Sequence, residues 1–234
     1  MRPNKNNMTL KKLMLPAFVI AMVVSSCNAQ EKPNTNMKTE KDSISYSLGV
    51  SIANNLKQGN LDDVNVDIMA QGMKDFFANK PAMTVQACEG AIQTYMMGKE
   101  KEKGSANESK GKAFLEDNKK KEGVVTTASG LQYKVVKMGT GPKPTLNDKI
   151  TAHYHGTLID GTVFDSSVDR GQPASFPVTG VIAGWTEALQ LMPVGSKWML
   201  YLPSTLAYGE RGAGGKIGPN TALIFEVELI SIDK

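Results

Sequence analysis

The sequence predicts an α+β protein in two parts. A C-terminal antiparallel β-sheet wraps around one short helix, and an all-α region with a long connecting helix precedes it. Three observations predict this. Apolar residues recur at helical spacing from Ile44 to Met97. No proline falls between Pro81 and Pro142, and helix formers dominate that interval. From Gly123 onward the pattern changes to alternation and to turns rich in glycine and proline, and more than half of the 15 aromatic residues fall between 151 and 225.

The first 26 residues read as an export signal. Residues 1–12 are polar and basic, and Leu13 to Val24 is apolar but only about a dozen residues long. That is too short to cross a roughly 30 Å hydrocarbon core as a helix, and it fits a secretory signal peptide. The run ends in Ser25-Ser26-Cys27, small residues before a cysteine, which resembles a bacterial lipoprotein cleavage box. In that reading Cys27 is the first mature residue and carries the lipid. Residue 28 is Asn rather than a retention Asp, which favours the outer membrane, facing the periplasm.

The net charge of +4 comes from this leader. Without Arg2, Lys5, Lys11 and Lys12, basic and acidic residues are equal at 23 each, so no basic surplus points to nucleic acid. Beyond Cys27 the one cysteine is Cys88, expected as a buried small hydrophobe; an intermolecular bridge is the alternative.

Residues 27–41 are polar and read as a flexible tether. Ile44, Leu48, Ile52 and Leu56 then mark one face of a helix capped by Asp42 or Ser43 and ended by Gly59. Val66, Met69, Met73, Phe76 and Phe77 mark a second helix, closed by Asn79-Lys80-Pro81. A third begins near Thr84 and runs to about residue 120. It is apolar at intervals to Met97, then mixed-charge and exposed, with Gly98, Gly104 and Gly111 each weakening it by up to about 1 kcal/mol. The apolar faces of residues 44–97 need a further partner, and a homodimer through residues 42–100 is the simplest one.

In the C-terminal part, Leu131 to Val136 reads as a strand. Ile150, Ala152, Tyr154 and Leu158 alternate with His153, His155 and Thr157, so one face of that strand is apolar. Asp160-Gly161 is a hairpin signal. Val181, Ile182, Trp185, Leu189 and Met192 share one helical face, Lys197 to Leu202 reads as a central strand, and Leu223 to Leu229 alternates again.

Familiar chemistry is not found in these motifs. His153 and His155 have no third ligand in the sequence and read as solvent-facing rather than as a metal site. The Gly212–Lys216 run departs from a phosphate loop, with Glu at 210 and Ile at 217. What remains is a set of rings with few polar groups. At this point the residues Gly161-Thr162-Val163-Phe164-Asp165-Ser166-Ser167, Val181-Ile182-Ala183-Gly184-Trp185, Leu206-Ala207-Tyr208-Gly209 and Leu223 to Leu229 resemble the FKBP-type peptidyl-prolyl cis–trans isomerases. Residues 42–122 resemble the helical dimerisation region of the exported Mip/FkpA-like branch of that family.

The resemblance implies an isomerase domain at 123–234, and a helical dimerisation domain with linker helix at 42–122. It implies Trp185 as the floor of a prolyl pocket, with Tyr154, Phe164, Phe176 and Phe225 as walls and Val181, Ile182 and Ile217 completing it. The Ile182 N–H and the Tyr208 hydroxyl would bind substrate carbonyls, and Asp165, held by Tyr154 and Arg170, would face the twisting amide. It implies no cofactor and no metal. Proline-containing unfolded or partly folded polypeptides would be substrates, and FK506-like macrolides inhibitors. A polypeptide-binding chaperone that uses the dimer cleft is the alternative.

Overall fold

The computed structural model describes residues 37–233; Cys27, the leader and most of the tether lie outside the described residues. The chain divides into two compact units, with the division between Lys74 and Asp75.

The first unit holds α1 (Glu40–Gln58) and most of α2 (Val66–Phe77). α1 starts one turn earlier than the sequence suggests. Thr39, not Asp42 or Ser43, is its N-cap. The Thr39 hydroxyl accepts from the Asp42 N–H at 3.1 Å and the Asp42 carboxylate accepts from the Thr39 N–H at 2.9 Å, a reciprocal pair that satisfies two otherwise unpaired donors. Neither helix buries a residue fully. Ile52, Leu56, Leu61, Val64 and Met69 are half-buried, while Ile44, Leu48, Val50, Val66 and Ile68 stay exposed.

The second unit begins with α3 (Val85–Asn118), capped by the Thr84 hydroxyl on the Ala87 N–H. Its 34 residues make a continuous rod about 51 Å long. Ion pairs Glu108–Lys112, Glu116–Lys119 and Asp117–Lys120 support its C-terminal half on the solvent side. That half is not exposed all round, as the sequence suggested. Gly104, Gly111 and Asn118, spaced by sevens, are buried. A Cβ on Gly111 would lie 3.0 Å from that of Ala222, so the absent side chain lets the helix backbone approach the loop before the last strand. The N-terminal half of α3 has no such cover: Val85, Ile92, Tyr95 and Met97 are exposed, and so is Cys88, which is therefore not the buried hydrophobe expected.

Seven antiparallel strands follow: β1 (Val124–Thr126), β2 (Gln132–Lys137), β3 (Lys149–Leu158), β4 (Val163–Ser166), β5 (Ala174–Pro177), β6 (Lys197–Leu202) and β7 (Leu223–Asp233). Their order is β1-β2-β6-β7-β3-β4, with β5 also on β3, so β6 and β7 are central. The turn at Asp160-Gly161 joins β3 to β4, with Gly161 at φ 86° and Asp160 accepting from the Thr162 N–H.

The inner face of this sheet carries Ile150, Ala152, Tyr154, Trp198, Leu200, Leu202, Leu223, Phe225, Val227 and Leu229. Against it lies α4 (Ala183–Leu191), which buries Trp185, Ala188 and Leu189. Gly184 permits the contact: a Cβ there would fall 2.4 Å from Leu202. On the other side of the sheet, Gln132 fastens the end of α3. It accepts from Asn118 Nδ2 at 2.9 Å and donates to the Leu115 carbonyl at 2.9 Å. Among the described residues no helix is long and apolar enough to cross a membrane.

Candidate active site

The site is built where α4 meets the inner face of the sheet. Trp185 enters from the first turn of α4 and is 4% exposed. Three rings meet it edge-on: Tyr154 from β3 at 5.5 Å, Phe225 from β7 at 5.4 Å and Phe176 from β5 at 6.1 Å. Phe164 from β4 stands edge-on to Phe225 at 5.4 Å. Edge-to-face contacts of this kind fix ring orientation as well as burying area. The result is a cavity of about 590 Å³ lined by these five rings, Asp165, Val181, Ile182, Tyr208, Ile217 and the loop at 213–216.

Every pocket residue that the sequence pointed to therefore lines one cavity. The structure adds three contributors. Gly156 lies opposite Phe225 in the β3–β7 register, and a Cβ on it would stand 2.7 Å from the Phe164 ring and 2.9 Å from that of Phe225. The signal for it was an absence: a glycine breaking the apolar alternation of β3. Ser167 is fully buried, and its hydroxyl meets the Tyr154 N–H at 2.8 Å, fixing the backbone that carries that ring. Lys216 also lines the cavity; in the sequence it stands only as the last residue of the glycine-rich run set aside as a phosphate loop.

The polar groups are few. The Tyr154 hydroxyl donates to Asp165 at 2.6 Å, and Arg170 contacts both the Asp165 carboxylate and, at 2.7 Å, the Tyr154 oxygen. Burial pushes the Asp165 carboxyl up, but the hydrogen bonds from Tyr154 and Arg170 together outweigh it and hold its pKa below the usual carboxylate value. Burial raises the Tyr154 phenol, and the bond to Asp165 adds to that. Burial also raises the Tyr208 phenol, helped by the charge of Asp165. The Tyr208 hydroxyl makes no hydrogen bond among the described residues, so as an O–H donor it is open to a ligand. Ile182 is the N-cap of α4, and its N–H precedes the helical ladder at the cavity wall.

The outer face of β3 is different. His153 meets Ser167 at 3.1 Å and His155 meets Ser166 at 3.0 Å, both half-exposed and away from the cavity. Among the described residues no group of three or more His, Cys, Asp or Glu is placed to hold a metal ion.

An apolar cavity with one fixed anion and two outlying donors suits a reaction without bond cleavage. Two family models match the chain: residues 140–230 fit the FKBP-type peptidyl-prolyl cis-trans isomerase, and residues 41–135 fit the domain amino terminal to it. The outer membrane protein MIP of Legionella longbeachae is 43% identical over 233 residues, covering 96% of this chain and 99% of that one. The FKBP-type 22 kDa peptidyl-prolyl cis-trans isomerase of Escherichia coli K12 is 46% identical over 192 residues, 80% of this chain and 93% of that one. Among solved structures, FkpA from Escherichia coli superposes with a TM-score of 0.69 at 37% identity, covering 84% of this chain and 98% of that one.

Proposed function

This chain belongs to the FKBP-type peptidyl-prolyl cis–trans isomerases, and we propose that it turns X–Pro bonds in the cavity floored by Trp185, as part of a lipid-anchored envelope dimer. One observation carries the site assignment. Tyr154, Phe176 and Phe225 converge on Trp185, Phe164 extends the wall through Phe225, and a single anchored carboxylate lies beside them.

The chemistry follows from the amide. Rotation about X–Pro has a barrier of about 20 kcal/mol because resonance is lost as the bond twists. No bond breaks, so neither nucleophile nor leaving group is needed. A twisted amide separates less charge than a planar one, so an apolar, ring-lined surface favours it relative to water. The Ile182 N–H and Tyr208 O–H hold the substrate carbonyls, Trp185 receives the proline ring, and the Asp165 carboxylate faces the twisting carbonyl carbon. An acceleration of about 10⁴ needs only about 5.5 kcal/mol of differential stabilisation.

The surroundings complete the reading. A short apolar leader ending at Cys27 supports a lipid anchor, and the name of the Legionella relative supports the envelope, with the outer membrane facing the periplasm as the site. The exposed apolar residues of α1, α2 and the N-terminal half of α3 support a homodimer through residues 42–100. Its clients are exported polypeptides whose folding waits on proline. An FK506-like macrolide fills the same cavity and competes with them. The mature protein should accelerate cis–trans exchange of a Leu–Pro peptide and refolding of a proline-limited client. Joint replacement Phe164→Ala and Asp165→Ala should lower kcat/KM at least about tenfold, or 1.4 kcal/mol of transition-state stabilisation. Unchanged turnover in that variant would remove these residues from the site.

A second reading coexists with this one. Met69, Met73, Met83, Met96 and Met97, beside the cleft that a dimer would form, offer adaptable apolar surface to an unfolded chain. Aggregation suppression on a proline-free client should survive replacement of Tyr154, Phe164 and Asp165 if that surface acts independently; complete loss of protection would leave only the isomerase role.

A further inference from the structure

Two of the residues that line the cavity carry charge, Asp165 and Lys216. Their situations differ. The Asp165 carboxylate is matched by the Arg170 guanidinium and the Tyr154 hydroxyl. The Lys216 ammonium forms no ion pair among the described residues; it reaches across from the 209–218 loop to the Val163 carbonyl at 3.3 Å. An ammonium has three donors, and a neutral carbonyl takes one of them. Val163 begins β4, immediately before Phe164 and Asp165, so the lysine stem spans the rim of the cavity beside two of its walls.

Outside the cavity lining, Lys103 on α3 lies beside Gly218, its Cε 3.1 Å from where a Cβ on that glycine would stand, and Lys110 lies near enough to Asp160 to help lower that carboxyl. On α3, Glu108 pairs with Lys112. Glu210, on the loop itself, is not among the residues lining the cavity. The cavity mouth therefore presents an unmatched cation on one wall and a neutralised anion on the other.

We infer that Lys216 is a specificity-determining residue that makes this isomerase favour substrates with a glutamate or aspartate directly flanking the proline. The inference rests on the isomerase assignment of the same cavity. A substrate carboxylate beside the proline meets the Lys216 ammonium at the rim, while Arg170 spares it repulsion from Asp165. A lysine there would find the opposite field.

The test uses full-length mature protein and peptide pairs that differ only in Glu or Leu next to the proline, on either side of it. The quantity read is the ratio of kcat/KM for the Glu and Leu peptides within each variant. An exposed ion pair is weak, so Lys216→Ala should lower the ratio about threefold, and Lys216→Glu about tenfold. Lys216→Arg should keep it. Salt raised from about 0.05 to about 0.5 M should shrink the wild-type preference, because the Debye length falls below the span of the rim. Ratios unchanged in both Lys216→Ala and Lys216→Glu, on both sides of the proline, would overturn the role of Lys216 and leave the isomerase assignment standing. No turnover of any peptide would overturn both.

Discussion

The sheet domain and the helices before it treat apolar residues in opposite ways. Between residues 124 and 233, Ile150, Leu200, Leu202, Leu223, Val227 and Leu229 are all 1% exposed or less. In residues 40–97 comparable side chains stand open: Ile68 is 68% exposed, Phe77 83% and Ile92 57%. The difference is one of geometry rather than of composition. A seven-stranded sheet curled over α4 covers its own apolar face, whereas short helices expose one stripe each until another surface meets them. The sheet half closes its apolar core within one chain, and the helical half leaves apolar stripes open.

α3 makes the same contrast within a single element. Its C-terminal half docks through Gly104, Gly111 and Asn118, with Asn107 donating to the Pro219 carbonyl at 2.9 Å and Phe114 lying 6.0 Å from the Tyr201 ring. Its N-terminal half keeps Val85, Ile92, Tyr95 and Met97 in the open.

The largest expected effect sets the two regions against each other directly. Leu200→Ala should cost about 2–5 kcal/mol in denaturant unfolding, because it leaves a cavity in the closed core. Ile92→Ala should change the stability of a separated chain by no more than about 0.5 kcal/mol while weakening association. Equal losses of chain stability would erase the distinction.

A pair of glycines sharpens it. Gly156→Ala would force the Phe164 and Phe225 rings aside, which should cost about 1–3 kcal/mol and lower peptide turnover. Gly98→Ala, with nothing within 4 Å, should instead stabilise its helix by up to about 1 kcal/mol, as circular dichroism melts would read. The docked end of α3 gives a third case. Asn118→Ala strands the Gln132 side-chain carbonyl in a buried position, and should cost about 1–3 kcal/mol on the unfolding curve.

The smallest expected effect is that of pH. The folded-state pKa of Asp165 is lowered, so its contribution is fully present above the unfolded value of about 3.9, and is lost as pH falls through the lower folded value. The Tyr154 and Tyr208 phenols are raised and stay protonated through neutrality. Peptide turnover should therefore be flat between about pH 5 and 8. A limb inside that window that disappears in Asp165→Asn would show the carboxylate held less firmly than its partners imply.

Much of this is legible in the chain itself. The hairpin at Asp160-Gly161, the α4 face of Trp185, Leu189 and Met192, and the break before Thr84 each have a local cause, and the structure places each near its sequence position. Ring residues from five elements could be gathered into one pocket because their motif spacing resembles a known family. What was missed depends on distant partners. Gly104 and Gly111 read as weak points of a helix, because their purpose lies with Pro219, Asn220 and Ala222, more than a hundred residues later. Thr39 lost the cap to its neighbours because only geometry decides among Thr39, Asp42 and Ser43. Cys88 reads as a buried small hydrophobe in the sequence, yet it is exposed.

The central claim is that each chain carries a complete isomerase site while the helices serve pairing. It is tested most directly by measuring catalysed cis–trans exchange of a Leu–Pro peptide across a dilution series whose mass falls from two chains to one. The account predicts that kcat/KM per chain stays constant through that transition. A rate per chain that falls in step with dissociation would contradict it, and would mean that the partner supplies part of the site.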